Sequence, residues 1–411
     1  MISRIKGTED TIEESWLWEW IEGRFKEVAT NFGFTQIRTP TFEATELFDR
    51  GVGNETDIVQ KEMYTFEDKG GRSITLRPEG TAPVMRAFIE HNLSSKGLPQ
   101  KLFYYGPMFR YEKPQSGRLR EFHQFGAELI GSALPIADVF VISMAIEMLN
   151  SVGLTNFKLK INSTGDEKCR PEYVKALRNY YRDLLPKLCD DCKVRYERNV
   201  LRLLDCKKDA QYAKDAPKIT DYLCSDCKAH FETLKRYLDE LDIQYEVDPS
   251  IVRGLDYYTR TVFEFKYPAL GAQDAIGGGG RYDKLIEELG GSKTPSVGFA
   301  FGIERIILAL KMENKVPEAK GIDVYVIAVE DAQRVESLKI AKALSKFFTV
   351  DVDIMGRNLK GQFSQASKEN ARFVIVIGEE EIKEGLYTIK NMKTGEQKRV
   401  RFSDIIEMVK T

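Results

Sequence analysis

Apolar residues recur at helical spacing near the start of the chain. The segment TIEE at 11–14 has the spacing of a capping box and predicts the first turn of a helix. Gly33 predicts its end. The apolar positions that define its buried face are three or four residues apart: Leu17, Ile21, Phe25, Val28 and Phe32.

Strand patterns lie on both sides of a helical block. FTQIRTPTFE at 34–43 is typical of an extended segment, and Pro40 is unsuited to a central strand. MYTFEDKGGRSITL at 63–76 predicts a hairpin that turns at 68–71. Further strands are predicted at 102–112, 120–130, 157–161, 257–266 and 295–301. Because charged, helix-favouring residues at 165–245 interrupt this series, the pattern predicts one α+β domain, 1–320, with a helical insertion.

A different pattern follows residue 320. The buried-strand runs IDVYVIAV at 322–329, VDVDIM at 350–355 and FVIVIG at 373–378 are separated by helix-favouring segments. This alternation predicts a separate α/β domain, 321–411, with parallel strands at its centre.

Composition adds limits to this picture. The 411 residues are 42% hydrophobic and 30% charged, as in ordinary globular proteins, and no apolar run has the length of a membrane span. With 61 basic and 63 acidic residues, the formal charge is −2, so any nucleic-acid site has to be a local patch. Glu19 interrupts the apolar run 16–21, which argues against a signal peptide, and we expect a cytoplasmic protein without membrane contact.

The segment GPMFRYEKPQSGRLREFHQFGAE at 106–128 gathers ionisable residues around one loop. Strand parity predicts that Arg110 lies opposite a core face made by Phe103, Tyr105, Phe109 and Tyr111. On the returning strand, one face is predicted to carry Arg120, Phe122, Gln124, Gly126 and Glu128. We expect Gly126 to leave a gap in which a small ligand could lie against the backbone. The alternative is a solvated face with weak salt bridges.

A second strand combines a core face with a nearly bare one. In SVGFAFGIERII at 296–307, the bare face carries Gly298, Ala300 and Gly302, which suits a flat ring against the backbone. Arg305 follows in the first helical turn, where an anion is favoured.

Two more segments are rich in glycine or tyrosine. Gly277 to Gly280 precede a predicted helix without the spacing of a P-loop or a dinucleotide motif, and indicate only a close backbone approach. In RGLDYYTRTVFEF at 253–265, strand parity places Tyr257 and Tyr258 on opposite faces, one toward the core and one toward a cleft.

The six cysteines lie within or beside the helical insertion. Cys189 and Cys192, like Cys224 and Cys227, have CxxC spacing, and Cys206 lies between the pairs as an alternative ligand. This spacing predicts one structural zinc site, since a reducing cytoplasm disfavours disulfides. Cys169 is predicted to be unrelated to it.

Taken together, the motifs resemble the histidyl-tRNA synthetase family of class II aminoacyl-tRNA synthetases. FTQIRTPTFE resembles the first class motif, whose proline, here Pro40, lies at the dimer interface. The segments 109–128 and 297–306 resemble the second and third class motifs. Three further segments are similar to histidine-specific signatures: LRPEGTAP, RGLDYYTRTVFE and GGGGRYD.

The resemblance implies a fold and a reaction. The fold is a six-stranded antiparallel sheet with flanking helices, a helical insertion and a C-terminal anticodon-binding domain. The reaction forms histidyl-adenylate from L-histidine and ATP, with Mg²⁺, and then acylates the histidine tRNA. The protein is expected to be a homodimer.

The resemblance also assigns roles to individual residues. Arg110 and Arg253 are implied as catalytic, on the α-phosphate and the carboxylate. ATP is implied to contact Arg110, Arg118, Phe122 and Arg305, with adenine between the last two. Histidine is implied to contact Glu79, Gly80, Thr81, Arg110, Gln124, Glu128, Arg253, Tyr257, Tyr258 and Tyr282. Gln115 matches the position that meets the 5′ guanosine of the tRNA acceptor stem.

Two alternative functions remain, and the first of these proteins shares the catalytic fold. One is the regulatory subunit of ATP phosphoribosyltransferase, which ligates nothing and typically lacks the anticodon domain and an intact RGLDYYTR segment; this chain has both segments. The other is a nucleotide-binding module without transfer activity, against which the full set of charged site residues argues.

Overall fold

The computed structural model describes two units, Met1–Val316 and Pro317–Thr411. The residues it describes are 2–53, 56–206, 208–251, 255–271 and 274–410. Over these segments, the structure contains no helix with both the length and the apolar character that a membrane crossing requires.

The helices are α1 Ser15–Asn31, α2 Thr45–Phe48, α3 Thr81–Glu90, α4 Pro135–Ser151, α5 Arg170–Arg182, α6 Asp190–Arg198, α7 Ala210–Ala213, α8 Ser225–Glu240, α9 Leu285–Glu288, α10 Ile303–Met312, α11 Arg334–Leu344, α12 Leu359–Lys368, α13 Glu379–Glu384 and α14 Phe402–Lys410. The strands are β1 Thr35–Gln36, β2 Phe42–Ala44, β3 Tyr64–Glu67, β4 Ser73–Leu76, β5 Gln100–Phe109, β6 Glu121–Ile130, β7 Lys158–Ser163, β8 Glu246–Val247, β9 Thr259–Lys266, β10 Ala275–Arg281, β11 Ser296–Gly302, β12 Val324–Ala328, β13 Val350–Val352, β14 Phe373–Ile377, β15 Leu386–Asn391 and β16 Gln397–Arg401.

The main sheet has the strand order β1-β5-β6-β11-β10-β9-β7-β8. Its six long strands are antiparallel throughout, which confirms the predicted sheet. The edge strands β1 and β8 are two residues long and parallel to their neighbours. Strand β1 lies within the extended segment predicted at 34–43. Strand β8 was not predicted, because two residues are too few to produce an alternating pattern.

The core of the first unit lies between this sheet and helices α1, α4 and α10. Phe125 stacks on Phe103 at 5.4 Å and meets Phe25 edge-on at 5.5 Å. This arrangement confirms Phe103 on the predicted core face of β5; Tyr105 is partly buried against the same core, and Phe109 is half-buried. Tyr111 was predicted on the same face but is exposed, because β5 ends at Phe109 and parity stops there.

Helix α1 begins at Ser15, and its N-cap, Glu14, makes no capping hydrogen bond through its side chain. The predicted capping box at 11–14 is therefore wrong. The Glu14 carboxylate lies 2.6 Å from Nζ of Lys311 and is engaged in that ion pair. The predicted end of the helix is confirmed, since the C-cap is Phe32 and the next residue, Gly33, has a positive φ of 78°.

A small sheet of order β2-β4-β3 precedes α3. The predicted turn at 68–71 is confirmed, with the Asp68 carboxylate accepting hydrogen bonds from the backbone N–H groups of Gly70 and Arg72. This sheet positions the residues that lead into α3 and the site.

Helices α5 to α8 lie between β7 and β8. Helices α5 to α7 contribute to a hydrophobic cluster separate from the main core, whereas Phe231, Leu234 and Leu238 of α8 belong to the main core. Helix α8 is joined to the main sheet by a buried polar network around Asp138. The Asp138 carboxylate accepts from Arg281 Nε at 2.9 Å and from Thr261 Oγ1 at 2.9 Å, and lies 2.6 Å from His230 Nε2. This network connects α4 and α8 with β9 and β10.

The second unit has a five-stranded sheet of order β13-β12-β14-β15-β16. Strands β13, β12 and β14 are parallel, as the alternation of strands and helices predicted. The hairpin β15–β16 adds two antiparallel strands at one side. Helices α11 and α14 contribute to its main hydrophobic cluster.

Candidate functional site

A cavity of about 700 Å³ lies against one face of the main sheet. Its wall includes side chains from β5, β6, β10 and β11, from the N-terminal turns of α3 and α10, and from the helical insertion. This volume falls in the range of small-molecule sites.

A buried carboxylate lies behind the cavity wall and is hydrogen-bonded to two residues that line the cavity, Thr81 and Tyr282. Glu128 on β6 is 1% exposed, and its Oε1 accepts a hydrogen bond of 2.8 Å from Thr81 Oγ1. Its other oxygen accepts from the hydroxyl of Tyr282. Burial raises the pKa of Glu128 well above its ordinary value, and the nearby Glu79 carboxylate adds to the effect. The site therefore holds a carboxyl group whose ionised form is stabilised by hydroxyl donors and by any further donor that a ligand brings.

Glu79 has a structural role as well as a place on the cavity wall. Its two oxygens accept from the backbone N–H groups of Thr81 at 2.7 Å and Ala82 at 2.8 Å, in the first turn of α3. Burial raises the pKa of Glu79, and the two backbone bonds partly offset this. Each carboxylate oxygen has a second lone pair, so capping the helix leaves acceptor capacity for a ligand cation.

Three tyrosines form one aromatic cluster beside Glu128. The ring of Tyr257 lies 4.8 Å from that of Tyr258 and 5.4 Å from that of Tyr282, and all three are buried and line the cavity. The prediction that Tyr257 and Tyr258 lie on opposite faces is wrong. Both precede β9, in a bend and turn where strand parity does not apply.

The ring of Tyr104 occupies the space beside Gly126. A Cβ added to Gly126 would overlap this ring, and so would a Cβ added to Gly80. The predicted ligand gap at Gly126 is therefore wrong, because a protein side chain fills it. Tyr104 was missed in the sequence, although parity puts it on the face of Arg110 and the strand register pairs it directly with Gly126.

The bare face of β11 is divided in the same way. A Cβ on Gly298 would overlap Glu128 and Tyr282, so side chains cover its inner end. At the outer end, the nearest atoms to a Cβ on Gly302 belong to Arg305, at 3.8 Å. A flat ligand ring could therefore lie against the bare face only near Ala300 and Gly302.

Arginines surround the open part of the cavity. Arg110 Nε donates to the backbone oxygen of Pro78 at 2.8 Å, and its guanidinium carbon lies 5.2 Å from the centre of the Phe122 ring. Arg118 Nε lies 2.6 Å from the Glu112 carboxylate. A flat anionic ligand can therefore meet both positive charge and an aromatic face here.

Two buried polar atoms in the wall lack protein partners. Among the residues that the structure describes, Oε1 of Gln124 accepts no hydrogen bond, and Nε of Arg305 donates none. Burial, and then the charge of Arg118, lower the pKa of Arg305. An acceptor and a donor left in this state are sites that a ligand can satisfy.

Two of the remaining predicted residues, Gln115 and Gly80, have described positions. Gln115 is exposed in the loop between β5 and β6, where its backbone pairs with that of Arg118. Gly80 is the N-cap of α3. Arg253 lies outside the described residues.

The helical insertion contributes part of the cavity wall, and no sequence motif indicated this. Arg195, Arg202 and Asp205 line the cavity, and Arg195 Nη2 lies 3.0 Å from the Asp57 carboxylate. Strand parity and motif spacing carry no information about such contacts, because they join segments that are far apart in the chain.

The cysteines form two groups rather than one. Cys189, Cys192 and Cys206 come together with Asp209, while Cys224 and Cys227 come together with Cys169 and Asp166. The prediction of one site from both CxxC pairs is wrong, and so is the separation of Cys169 from the others. Chain folding pairs each CxxC segment with a different partner. Both groups consist of side chains that could hold a metal ion.

Several known proteins are similar to this chain over nearly its whole length. Residues 7–306 match the family model described as histidyl-tRNA synthetase, and residues 323–411 match that of the anticodon binding domain. A histidine–tRNA ligase from Thermosipho melanesiensis is 56% identical over 400 residues, covering 97% of this chain and 96% of the relative. Another from Fervidobacterium nodosum is 52% identical over 414 residues, covering 100% and 98%. The crystal structure of apo histidyl-tRNA synthetase from S. aureus superposes with a TM-score of 0.83 at 39% identity, with 100% of both chains covered.

Proposed function

The chain belongs to the histidyl-tRNA synthetase family, and we propose that its cavity joins L-histidine to the histidine tRNA in two steps. In the first, a carboxylate oxygen of histidine attacks the α-phosphorus of ATP, and pyrophosphate leaves. In the second, a terminal ribose hydroxyl of the tRNA attacks the carbonyl carbon of the adenylate, and AMP leaves. Full-length similarity to histidine–tRNA ligases supports this activity over that of a regulatory subunit without ligase activity.

The observation that carries the proposal is the buried Glu128 beside the tyrosine cluster. An imidazole ring offers one N–H donor and one nitrogen acceptor, and a carboxylate and a phenol can satisfy both. Glu128 is the acceptor, and Tyr258 is the hydroxyl partner. Glu128 already accepts from Thr81 and Tyr282, and an imidazole N–H would add a third donor. Amino acids whose side chains lack this donor and the nitrogen acceptor would lose both bonds in a buried site, which penalises them more strongly than poor packing does.

The α-ammonium group of histidine needs acceptors at the same end of the cavity. Gln124 Oε1 is buried without a partner in the described part of the chain, and Glu79 retains acceptor capacity beside it on the wall. Thr81 lies between the two carboxylates and hydrogen-bonds to both through its N–H and its hydroxyl. These three residues are the proposed ammonium site, and Gly80 brings the backbone close to it.

Phosphoryl transfer requires positive charge around the α-phosphate more than it requires a general base. Arg110 is the described residue proposed for this role, and Arg253 completes the pair by its position in the matching motif. Arg118 and Arg305 are proposed to contact the rest of ATP, with adenine between Phe122 and the Arg305 guanidinium.

Mg²⁺ bound with ATP would neutralise part of the phosphate charge. Glu62 and Glu112 line the same cavity and offer the oxygen ligands that Mg²⁺ prefers. Burial, and then the charge of Glu112, raise the pKa of Glu62. A bound cation would relieve this repulsion.

The tRNA is proposed to contact several parts of the chain. Gln115 is exposed on the loop beside the cavity mouth, where it can reach the acceptor stem. Residues 321–411 are proposed as the anticodon-binding domain, 1–320 as the catalytic domain and 165–245 as its helical insertion.

We also propose that two copies form a homodimer through the small sheet. Phe42 on β2 and Phe66 on β3 are 56% and 48% exposed. The strand register places both on one face of the sheet, with Ile74 and Leu76 between them. An exposed apolar face beside Pro40 suits a second copy of the chain. All six cysteines are free thiols, which fits the proposed cytoplasmic location.

The direct test is ATP–pyrophosphate exchange, with each amino acid supplied separately to the purified full chain and Mg²⁺. Exchange with histidine alone would support the proposal. Absence of exchange with every amino acid, from folded protein, would contradict it and favour the regulatory subunit.

A further inference from the structure

We propose that the chain binds two thiophilic divalent metal ions, with zinc as the expected ion, each held by three cysteines and one aspartate. The first site consists of Cys189, Cys192, Cys206 and Asp209, and the second of Asp166, Cys169, Cys224 and Cys227. This inference concerns the insertion and does not depend on the ligase activity.

The spacing of the ligands is the same in both sites. Each site is built from two pairs, and the members of every pair are separated by two residues. In the first site the pairs are 189/192 and 206/209; in the second they are 166/169 and 224/227. One pair of each site is CxxC, and the other has an aspartate in place of a cysteine. Two-residue spacing is typical of zinc-binding loops.

Two distances in the first site fit a tetrahedral metal. Sγ of Cys189 and Sγ of Cys206 are 3.8 Å apart, and Oδ2 of Asp209 lies 3.8 Å from Sγ of Cys206. Zinc–sulfur bonds of about 2.3 Å at tetrahedral angles place two sulfurs about 3.8 Å apart. A disulfide would require about 2.05 Å.

The second site has similar dimensions. Oδ1 of Asp166 lies 3.5 Å from Sγ of Cys169 and 3.8 Å from Sγ of Cys224. In each site all four ligand atoms lie within 4.8 Å of one another. In both groups, three thiols surround one carboxylate, and the ligands have the same two-residue spacing. Thiol–carboxylate hydrogen bonds alone do not explain this repetition, whereas two metal sites explain it.

Both sites lie where the insertion meets the proposed catalytic cavity. In the first, Cys189 is the N-cap of α6, the helix that carries Arg195 on the cavity wall. In the second, Cys169 and Cys224 are the N-caps of α5 and α8. The first residue of α5, Arg170, donates to the backbone oxygen of Tyr258 at 2.6 Å. Metal binding at the first site would therefore fix the start of α6 beside the cavity, and binding at the second would tie the start of α5, beside Tyr258, to the start of α8.

The test is the metal content of the full chain after reconstitution with Zn²⁺ and removal of excess ion. We expect two zinc ions per chain, and X-ray absorption at the zinc edge should report an average of three sulfur ligands and one oxygen. Cys206→Ser and Cys169→Ser should each retain one ion. Asp190→Asn is the matched control, because Asp190 is exposed between the ligands Cys189 and Cys192, and it should retain both.

Three outcomes would overturn the proposal. The first is one zinc with four sulfur ligands, lost in both Cys189→Ser and Cys224→Ser. The second is no bound zinc in folded, reconstituted protein. The third is fewer than six titratable thiols in metal-free chain denatured without reductant, which would indicate disulfides. Stoichiometry and ligand scattering of the wild-type chain decide the matter even if a variant fails to fold, and neither measurement depends on ligase activity.

Discussion

The phenol ring of Tyr104 lies against the backbone of Gly126, its direct partner in the antiparallel register of β5 and β6. Tyr104 is 4% exposed, and the same ring closes the space beside Gly80. A glycine on each side is therefore what allows this ring to form part of the pocket wall. The glycine spacing that suggested room for a ligand instead provides room for a tyrosine.

Gly126→Ala should force the Tyr104 ring to move. Overpacking of this kind costs about 1–3 kcal/mol of the free energy of unfolding, and the displaced ring should also weaken histidine binding. Denaturant unfolding and the KM for histidine in pyrophosphate exchange measure the two effects. Gly23→Ala is the control, because Gly23 lies in α1 with no atom near its Cβ position, and it should be neutral or stabilising. Equal behaviour of the two variants would contradict this packing argument.

Glu128→Gln should raise the stability of the chain at alkaline pH while lowering its activity. Because burial raises the folded pKa of Glu128, the wild-type chain loses stability as pH rises from the ordinary value of 4.5 through that raised pKa. Every tenfold difference in proton affinity between folded and unfolded chain corresponds to about 1.4 kcal/mol. The glutamine cannot ionise, so the variant should be more stable than wild type at about pH 8 and similar at about pH 4.

The same variant should lose most histidine-dependent exchange, because an amide cannot supply the charge that the imidazole N–H meets. Exposed Glu13 gives the control, Glu13→Gln, which should change neither property. A stability difference independent of pH would refute the assignment of a buried, protonation-sensitive carboxyl group.

Arg305→Ala should raise the KM for ATP about tenfold or more, since a charged hydrogen bond contributes about 1.5–3 kcal/mol. The KM for histidine should stay near the wild-type value. Arg305→Lys should restore little, because a lysine lacks the planar group that stacks on a base. Arg236→Ala, on α8 and outside the cavity lining, is the control. An unchanged KM for ATP would remove Arg305 from the proposed nucleotide site.

Gln115→Ala should slow transfer of histidine to tRNA without changing pyrophosphate exchange. A lost base contact costs about 1–3 kcal/mol, so single-turnover transfer should fall about tenfold. The neighbouring exposed Ser116 provides the matched control, Ser116→Ala. Parallel losses in exchange and transfer would instead indicate that Gln115 supports the pocket.

Phe42→Asp should convert the proposed dimer to a monomer, because a charge would be buried in the apolar interface. Sedimentation equilibrium of the full chain measures the change. Phe347, which is 59% exposed in the second unit, gives the control Phe347→Asp. A wild-type chain that is monomeric at micromolar concentration, or an unaffected Phe42→Asp dimer, would contradict the proposed surface.

The local sequence determined many of the helices and strands, and one buried face of the main sheet. Alternation along β5 was enough to identify Phe103 as a core residue, and the turn residues at 68–71 were enough to predict a hairpin. These features depend on the period of a strand and on the conformational preferences of a few neighbouring residues. The resemblance of the motifs to known ones predicted, in addition, the family and the set of residues proposed for the site.

Only the tertiary structure decided which distant residues share a space. Tyr104 fills the gap beside Gly126, the tyrosines at 257 and 258 lie in one cluster, and each CxxC pair joins an aspartate-containing partner from another segment. Arg195 reaches the cavity from the insertion in the same way. Side-chain volume and long-range chain path determine these contacts, and neither leaves a periodic signal in the sequence.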